Sequence, residues 1–228
     1  MKLLFVEAHA KIKIRLPKKV IKALPDQVCL ATDVQFIKNL PSLTNQLERA
    51  GKEVYTLKGA HAKHVSQILG CSHIKLNYPK FTQAFLYVGD GLFHPKALLL
   101  GSTKDVYIYN PFSKEFRKLP HSEVAAMKKH EKVAVIMFLH ADKIGVLITV
   151  KPGQLSVQAH LQQIYSIEKK YPDKKFYYLI VDTLDFSQLE NFPFIDCFVN
   201  TACTRLMDDY AKFPKPMVNI EQILKLKT

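Results

Sequence analysis

Apolar residues in this chain come in short continuous runs separated by polar, Gly- or Pro-bearing stretches. Residues 28–31, 84–88, 106–110, 144–150, 175–181 and 195–200 have the length and the Val/Ile/Leu/Phe content of strands covered on both faces. Residues 3–6 and 53–57 are shorter candidates of the same kind. Between them the spacing of apolar positions predicts helices. One follows residue 31, is interrupted by Pro41 and ends at Gly51. A short amphipathic one spans 62–69 and closes on Gly70. Longer ones cover 122–141 and 155–171, and helical material follows from Cys203 and again from Ile220. Strands alternating with helices predict an α/β fold with parallel sheets covered by helices.

The pattern also restarts. A strand leading to a glutamine occurs at 28–35 and again at 146–154, and the strand and turn at 85–91 match those at 197–202. Two repeated βαβ-type domains are therefore expected, one over 25–120 and one over 121–228, joined by the 122–141 helix. Residues 1–24 belong to neither.

Composition narrows the class. With 228 residues, 48% of them hydrophobic and 23% charged, the chain can bury a sizeable core. The apolar start stops at Glu7, too short for the apolar core of an export signal, and no run approaches the roughly 20 residues that span a bilayer. A cytoplasmic location without a membrane is expected. Thirty-three Lys and Arg against twenty Asp and Glu give a net charge of +13, which favours acidic partners. The lysines are scattered and no basic stripe alternates with aromatics, so direct nucleic-acid binding is not expected. None of the four cysteines, Cys29, Cys71, Cys197 and Cys203, forms a Cys-x-x-Cys pair. Cys29 and Cys197 lie inside strand runs and read as small buried hydrophobes.

Three segments stand where a strand ends and a helix begins, the place where open α/β sheets hold ligands. They are Gly89-Asp90-Gly91-Leu92-Phe93-His94-Pro95, Lys151-Pro152-Gly153-Gln154 and Asn200-Thr201-Ala202-Cys203-Thr204-Arg205. Gly89 and Gly91 permit close backbone approach. Gln154 opens a helix, where unpaired N–H groups favour a carboxylate. Asn200 and Arg205 suit carboxylate or ribose groups, although Arg205 also has Asp208 and Asp209 within reach. His61, His64 and His73 flank Cys71 without a second cysteine or carboxylate at ligand spacing, which reads as exposed histidines rather than a zinc site.

Taken in order, Leu69-Gly70-Cys71, Val88-Gly89-Asp90-Gly91-Leu92-Phe93-His94-Pro95, Thr149-Val150-Lys151-Pro152-Gly153-Gln154 and the 195–205 strand and turn resemble the diphthamide synthase family. These are radical 3-amino-3-carboxypropyl transferases that modify a histidine of translation elongation factor two. The resemblance covers most of residues 25–225. It implies three similar domains, each offering one cysteine to a 4Fe–4S cluster that holds S-adenosylmethionine on an open iron. Cys71 and Cys203 match the second- and third-domain cysteines; the first has no counterpart, although the nearness of Cys197 to Cys203 keeps it as a candidate for the missing ligand, and residues 3–8 resemble only the closing strand of that domain. Thr204 stands where the family usually has proline. By the same resemblance, Lys151, Gly153 and Gln154 bind the methionine part of the cofactor, with Gly89, Gly91, Asn200, Thr201 and Arg205 as further cofactor contacts. Asp90 and His94 position the cofactor or the incoming histidine. The implied activity is a transferase acting on elongation factor two, with a homodimer or a second subunit supplying the first domain. The alternatives are a non-catalytic subunit and a basic ligand-binding module of the translation machinery.

Overall fold

The computed structural model describes residues 4, 6–59, 61–151 and 157–226, and the chain divides into two units, Met1–Val124 and Ala125–Thr228. In the first, helix α1 (Lys18–Ala23) leads to strand β1 (Gln27–Thr32), then helix α2 (Leu40–Glu48) and strand β2 (Glu53–Tyr55). Two-residue strands β3 (Lys58–Gly59) and β4 (Leu76–Asn77) pair antiparallel beside the main sheet. Strand β5 (Ala84–Val88), helix α3 (Phe93–Gly101), strand β6 (Asp105–Tyr109) and strand β7 (Phe116–Leu119) complete the unit. The sheet order is β2-β1-β5-β6-β7, parallel except for β7.

The second unit follows from helix α4 (Ser122–His140), within whose first turn the boundary falls. Strand β8 (Lys143–Thr149), helix α5 (Val157–Lys170), strand β9 (Lys175–Val181), strand β10 (Cys197–Asn200), strand β11 (Met217–Asn219) and helix α6 (Ile220–Leu224) make an all-parallel sheet ordered β11-β10-β8-β9. The fold is α/β with helix-covered parallel sheets, as the run pattern predicts. The four parallel strands of each unit are wired alike: the first in sequence lies between the second and the third, with the fourth outside the third. The reversal of direction after the first strand makes the β1/β5 and β8/β10 junctions the switch points of the two sheets.

Side-chain alternation explains the cores. Val28 and Leu30 of β1 join Leu86 and Val88 of β5 against Leu43 and Leu47 of α2. Ile14, Leu16, Val20 and Leu24 pack in the same cluster, so the residues that the sequence set apart from both units are folded into the first, where their apolar side chains leave water. In the second unit, β8 and β10 are buried along nearly their whole length under Phe138 of α4, Ile164 and Ile167 of α5 and Ile223 of α6. Strand β9 pairs only with β8 among the described residues, and along it exposure alternates, leaving Tyr178 and Ile180 exposed. No helix among the described residues is long and apolar enough to cross a membrane.

Two sequence expectations differ from the structure. Residues 62–69 are not a helix. His61 and Ser66 adopt left-handed backbone, at φ 61° and 60°, and the segment's bonds go to the end of β1 instead: Thr32 N–H to Ser66 O and Ile68 N–H to Thr32 O. The helical material expected after Cys203 is present as a 3₁₀ stretch, Thr204–Lys212. β7 and β11 were not anticipated, being four and three residues long. Of the expected strand at 3–6, residues 3 and 5 lie outside the described residues, as do 155 and 156 of the expected helix at 155–171.

Candidate functional site

At the switch point of the first unit, Asp33 follows β1 directly and is 9% exposed. Its Oδ1 accepts from the N–H groups of Gln35 (2.9 Å) and Phe36 (3.3 Å), and its Oδ2 from the Tyr87 hydroxyl (3.0 Å). Burial, and then the Asp33 charge, push the Tyr87 phenol far above its ordinary value, so it stays a donor. This bond requires Gly89: a Cβ there would stand 2.4 Å from the Tyr87 hydroxyl oxygen. Gly91 turns the chain at φ 69°, and Asp90 Oδ1 accepts from Gly91 N–H and Asn110 Nδ2, both at 2.8 Å. The glycine turn thus serves its own geometry first.

Asp90 and His94 border different clefts. Gly89, Asp90 and Gly91 line one of about 290 Å³ with Asn110, Glu115 and Arg117. His94, in the first turn of α3, lines one of about 380 Å³ with His9, Asp33, Gln35, Gln67 and Leu69. Residues 8–10 form a wall of this second cleft and are pinned there by the neighbouring Glu7. Glu7 pairs with Lys63 and His64, each at 2.8 Å, and with His9 at 3.4 Å. Hydrogen bonds from Lys63, then from His64, lower the Glu7 carboxyl to about 2. Cys71 sits in the 3₁₀ turn Gly70–Ile74, two residues past Leu69. Ser72, fully buried, accepts the Leu69 N–H through Oγ (3.0 Å) and fixes that turn.

In the second unit the β8/β10 switch point carries Lys151, whose N–H donates to Thr149 Oγ1 (3.1 Å). Gly153 and Gln154 lie outside the described residues. Thr201 is tied to Leu147 O through its hydroxyl (2.7 Å). Asn200 Nδ2 donates to Cys203 O (3.0 Å) and to Asn219 Oδ1 (2.7 Å), while its Oδ1 accepts Ala202 N–H. Asn219 Nδ2 in turn donates to Thr204 O (3.1 Å). Two asparagines, one of them missed by the sequence reading, therefore hold the turn that presents Cys203. The one sequence signal for Asn219 is Gln222 three residues on, the spacing of a helix-capping pair. Arg205, 5% exposed, is forked onto Asp208 through Nε at 2.9 and 2.8 Å and through its terminal nitrogen. The sequence also missed Asp33, Tyr87, Gln67 and Glu7, whose contacts join distant segments.

The cysteines fall into two classes. Cys29 and Cys197 are fully buried inside β1 and β10, and burial pushes both thiols up to about 12. Neither is ready to become a thiolate. Cys71 and Cys203 are half-buried on turns outside their sheets, and none of the four is in a disulfide. A thiolate-ligated iron cluster needs donors of the second class, and the residues fit it to that extent. They occupy unlike places in the shared wiring: Cys71 follows the second strand of its unit and Cys203 the third. Among the described residues no three His, Cys, Asp or Glu side chains are grouped to hold a metal ion.

Comparison with known proteins follows the same lines. The sequence model of the diphthamide synthesis protein family matches residues 1–225. The 2-(3-amino-3-carboxypropyl)histidine synthase of Pyrococcus horikoshii is 28% identical over 226 residues, covering 96% of this chain and 64% of that protein. The synthase of the same name from Methanocaldococcus jannaschii is 32% identical over 160 residues, 69% of this chain and 45% of that protein. The crystal structure of Dph2 from Pyrococcus horikoshii with a 4Fe-4S cluster superposes with a TM-score of 0.70 at 26% identity, covering 89% of this chain and 57% of that one. The chain thus spans less than two thirds of the length of these relatives.

Proposed function

The chain belongs to the diphthamide synthesis protein family, and from that membership we propose that it transfers a 3-amino-3-carboxypropyl group from S-adenosylmethionine to a histidine of translation elongation factor two. The observation that carries this reading is the division of the cysteines. Cys71 and Cys203 alone are half-exposed on turns, and they are the positions that resemble family ligands. In this reading they are two thiolate ligands of a 4Fe–4S cluster. Such a group would supply one electron to S-adenosylmethionine, so that its carbon–sulfur bond breaks into methylthioadenosine and a 3-amino-3-carboxypropyl radical; after the radical adds to the acceptor imidazole, the adduct would return one electron to the group and lose one proton to give the substituted histidine.

The remaining roles fall to the chain itself. Asn200 and Asn219 hold the Cys203 turn, and Ser72 holds the Cys71 turn, so that each sulfur is presented rather than swallowed by the core. Lys151 after β8 and Thr201 after β10 are assigned to the cofactor, with Arg205 acting through its fork on Asp208, and the resemblance assigns Gly153 and Gln154 to it as well. Gly89 and Gly91 shape the corresponding turn of the first unit, where Asp90 and His94 orient cofactor and acceptor. The location is proposed as cytoplasmic.

A second reading has its own support. Three thiolates are needed and two are at hand, since the Cys29 and Cys197 thiols are held protonated by burial. A non-catalytic subunit, completed by a thiolate from another polypeptide or a second copy, accounts for that count. Anaerobic reconstitution with iron and sulfide, followed by S-adenosylmethionine and reductant, separates the two. A brown chain that cleaves the cofactor supports the transferase. A brown but inert one points to the partial subunit. A colourless product that is unchanged in Cys71→Ala or Cys203→Ala overturns both.

A further inference from the structure

Positive charge is divided unevenly between the two units. Nineteen Lys and Arg against nine Asp and Glu fall in Met1–Val124, and fourteen against eleven in Ala125–Thr228. The surplus is densest near the start of the first unit, where residues 8–25 carry Lys11, Lys13, Arg15, Lys18, Lys19 and Lys22 and no Asp or Glu. All six are exposed, and among the described residues none holds an acidic partner. Elsewhere in the same unit, Lys52, Lys63, Lys96 and Lys118 each hold a carboxylate.

The segment that presents these cations is fixed without spending any of them. Along 11–16 burial alternates: Lys11, Lys13 and Arg15 face outward while Ile14 and Leu16 enter the core and Ile12 is half-buried. Two carboxamides pin its main chain. Asn39 Oδ1 accepts Ile14 N–H (3.2 Å), and Gln46 accepts Leu16 N–H through Oε1 (2.8 Å) while donating to Ile14 O through Nε2 (3.0 Å). Val20 and Leu24 seat α1 in the same core, and Lys18, Lys19 and Lys22 stand at the three- and four-residue spacings that share one helix face. Alternate side chains of an extended chain recur about every 7 Å, so the first three cations form an even row that α1 continues. Every exposed residue of 11–22 is a cation. A protein partner needs an apolar anchor at the centre of its contact, and a stacked base needs an aromatic face; this row offers neither, only charge for a phosphate backbone. We propose that residues 11–22 are a backbone track for single-stranded nucleic acid, bound without regard to base sequence. The absence of aromatics between the lysines, which argued against nucleic acid in the sequence, bears on base stacking and not on phosphate contact. The track goes beyond the transfer reaction and stands whether or not Cys71 and Cys203 bind iron.

Fluorescence anisotropy of a labelled oligouridylate of about 12 nucleotides, titrated with the chain, tests it. A Kd of about 10–100 μM is expected near physiological salt, and log K should fall against log salt with a slope of about −4 for six neutralised phosphates. Oligothymidylate of the same length should bind within about threefold, because neither the base nor the 2′-hydroxyl is read. Lys11→Gln/Lys13→Gln/Arg15→Gln should weaken binding at least about tenfold and bring the slope to about −2, at an unchanged melting temperature. Lys143→Gln/Lys169→Gln/Lys175→Gln removes the same charge from exposed positions of the second unit and should bind as the parent does. No binding at about 50 mM salt, equal losses in the two triple variants, or a preference above about tenfold for RNA or for DNA each overturns the assignment. Binding of an oligoglutamate of the same length as tightly as the oligouridylate also overturns it, and gives the row to an acidic protein instead.

Discussion

Tyr87, Asp33 and Gly89 form one joint in which no member tolerates change. Tyr87→Phe removes the one side-chain donor to a buried carboxylate and should cost about 1–3 kcal/mol in urea unfolding. Gly89→Ala forces a methyl against the phenol and should cost about the same, about 1–3 kcal/mol. Thiol reactivity is a second residue-scale outcome. With burial holding Cys29 and Cys197 near 12, iodoacetamide at pH 8 should label Cys71 and Cys203 in the folded chain, and all four only in denaturant. Mass spectrometry of the labelled peptides reads this directly. Glu7 gives the third. Its folded value of about 2 lies below the ordinary 4.5, so its contribution is complete above 4.5 and is lost as pH falls toward 2. Glu7→Gln should flatten acid denaturation in that window. The glycine turn was legible from sequence because its demand is local. The Asp33–Tyr87 bond was not, because it joins residues 54 apart and only the finished sheet brings them together.

Among elements, legibility followed length and burial. β5, β8 and β10 read as strands because parallel strands covered on both faces carry unbroken apolar runs. β7, with Arg117 and Lys118 in four residues, and the three-residue β11 carry too little pattern. The 62–69 segment misled because Val65, Ile68 and Leu69 mimic a helical stripe. Only Ile68 of them is fully buried, and the main chain spends its bonds on Thr32. The Cys203 turn shows what such a short element needs in compensation. Asn219→Ala strips Asn200 and the Thr204 carbonyl of a partner and should lower stability by about 1–3 kcal/mol. If Cys203 holds iron, the same variant should also lose iron faster than the parent during gel filtration.

For the whole molecule, the charge of +13 sets an outcome of its own. Association with an acidic partner should slow and weaken steeply between about 50 and 200 mM salt, a change that surface plasmon resonance resolves. The duplicated wiring was foreshadowed by the repeat of strand, glutamine and turn, because a restart of the same local pattern survives in sequence even when side chains have diverged. The outermost position of β9 bears on handling rather than on catalysis. Among the described residues nothing pairs with the outer side of this seven-residue strand, and Ile180 is 69% and Tyr178 47% exposed. Concentrated stocks should begin to precipitate by edge-to-edge stacking at that margin, and a lysine at position 180 should lengthen shelf life without altering the melting curve.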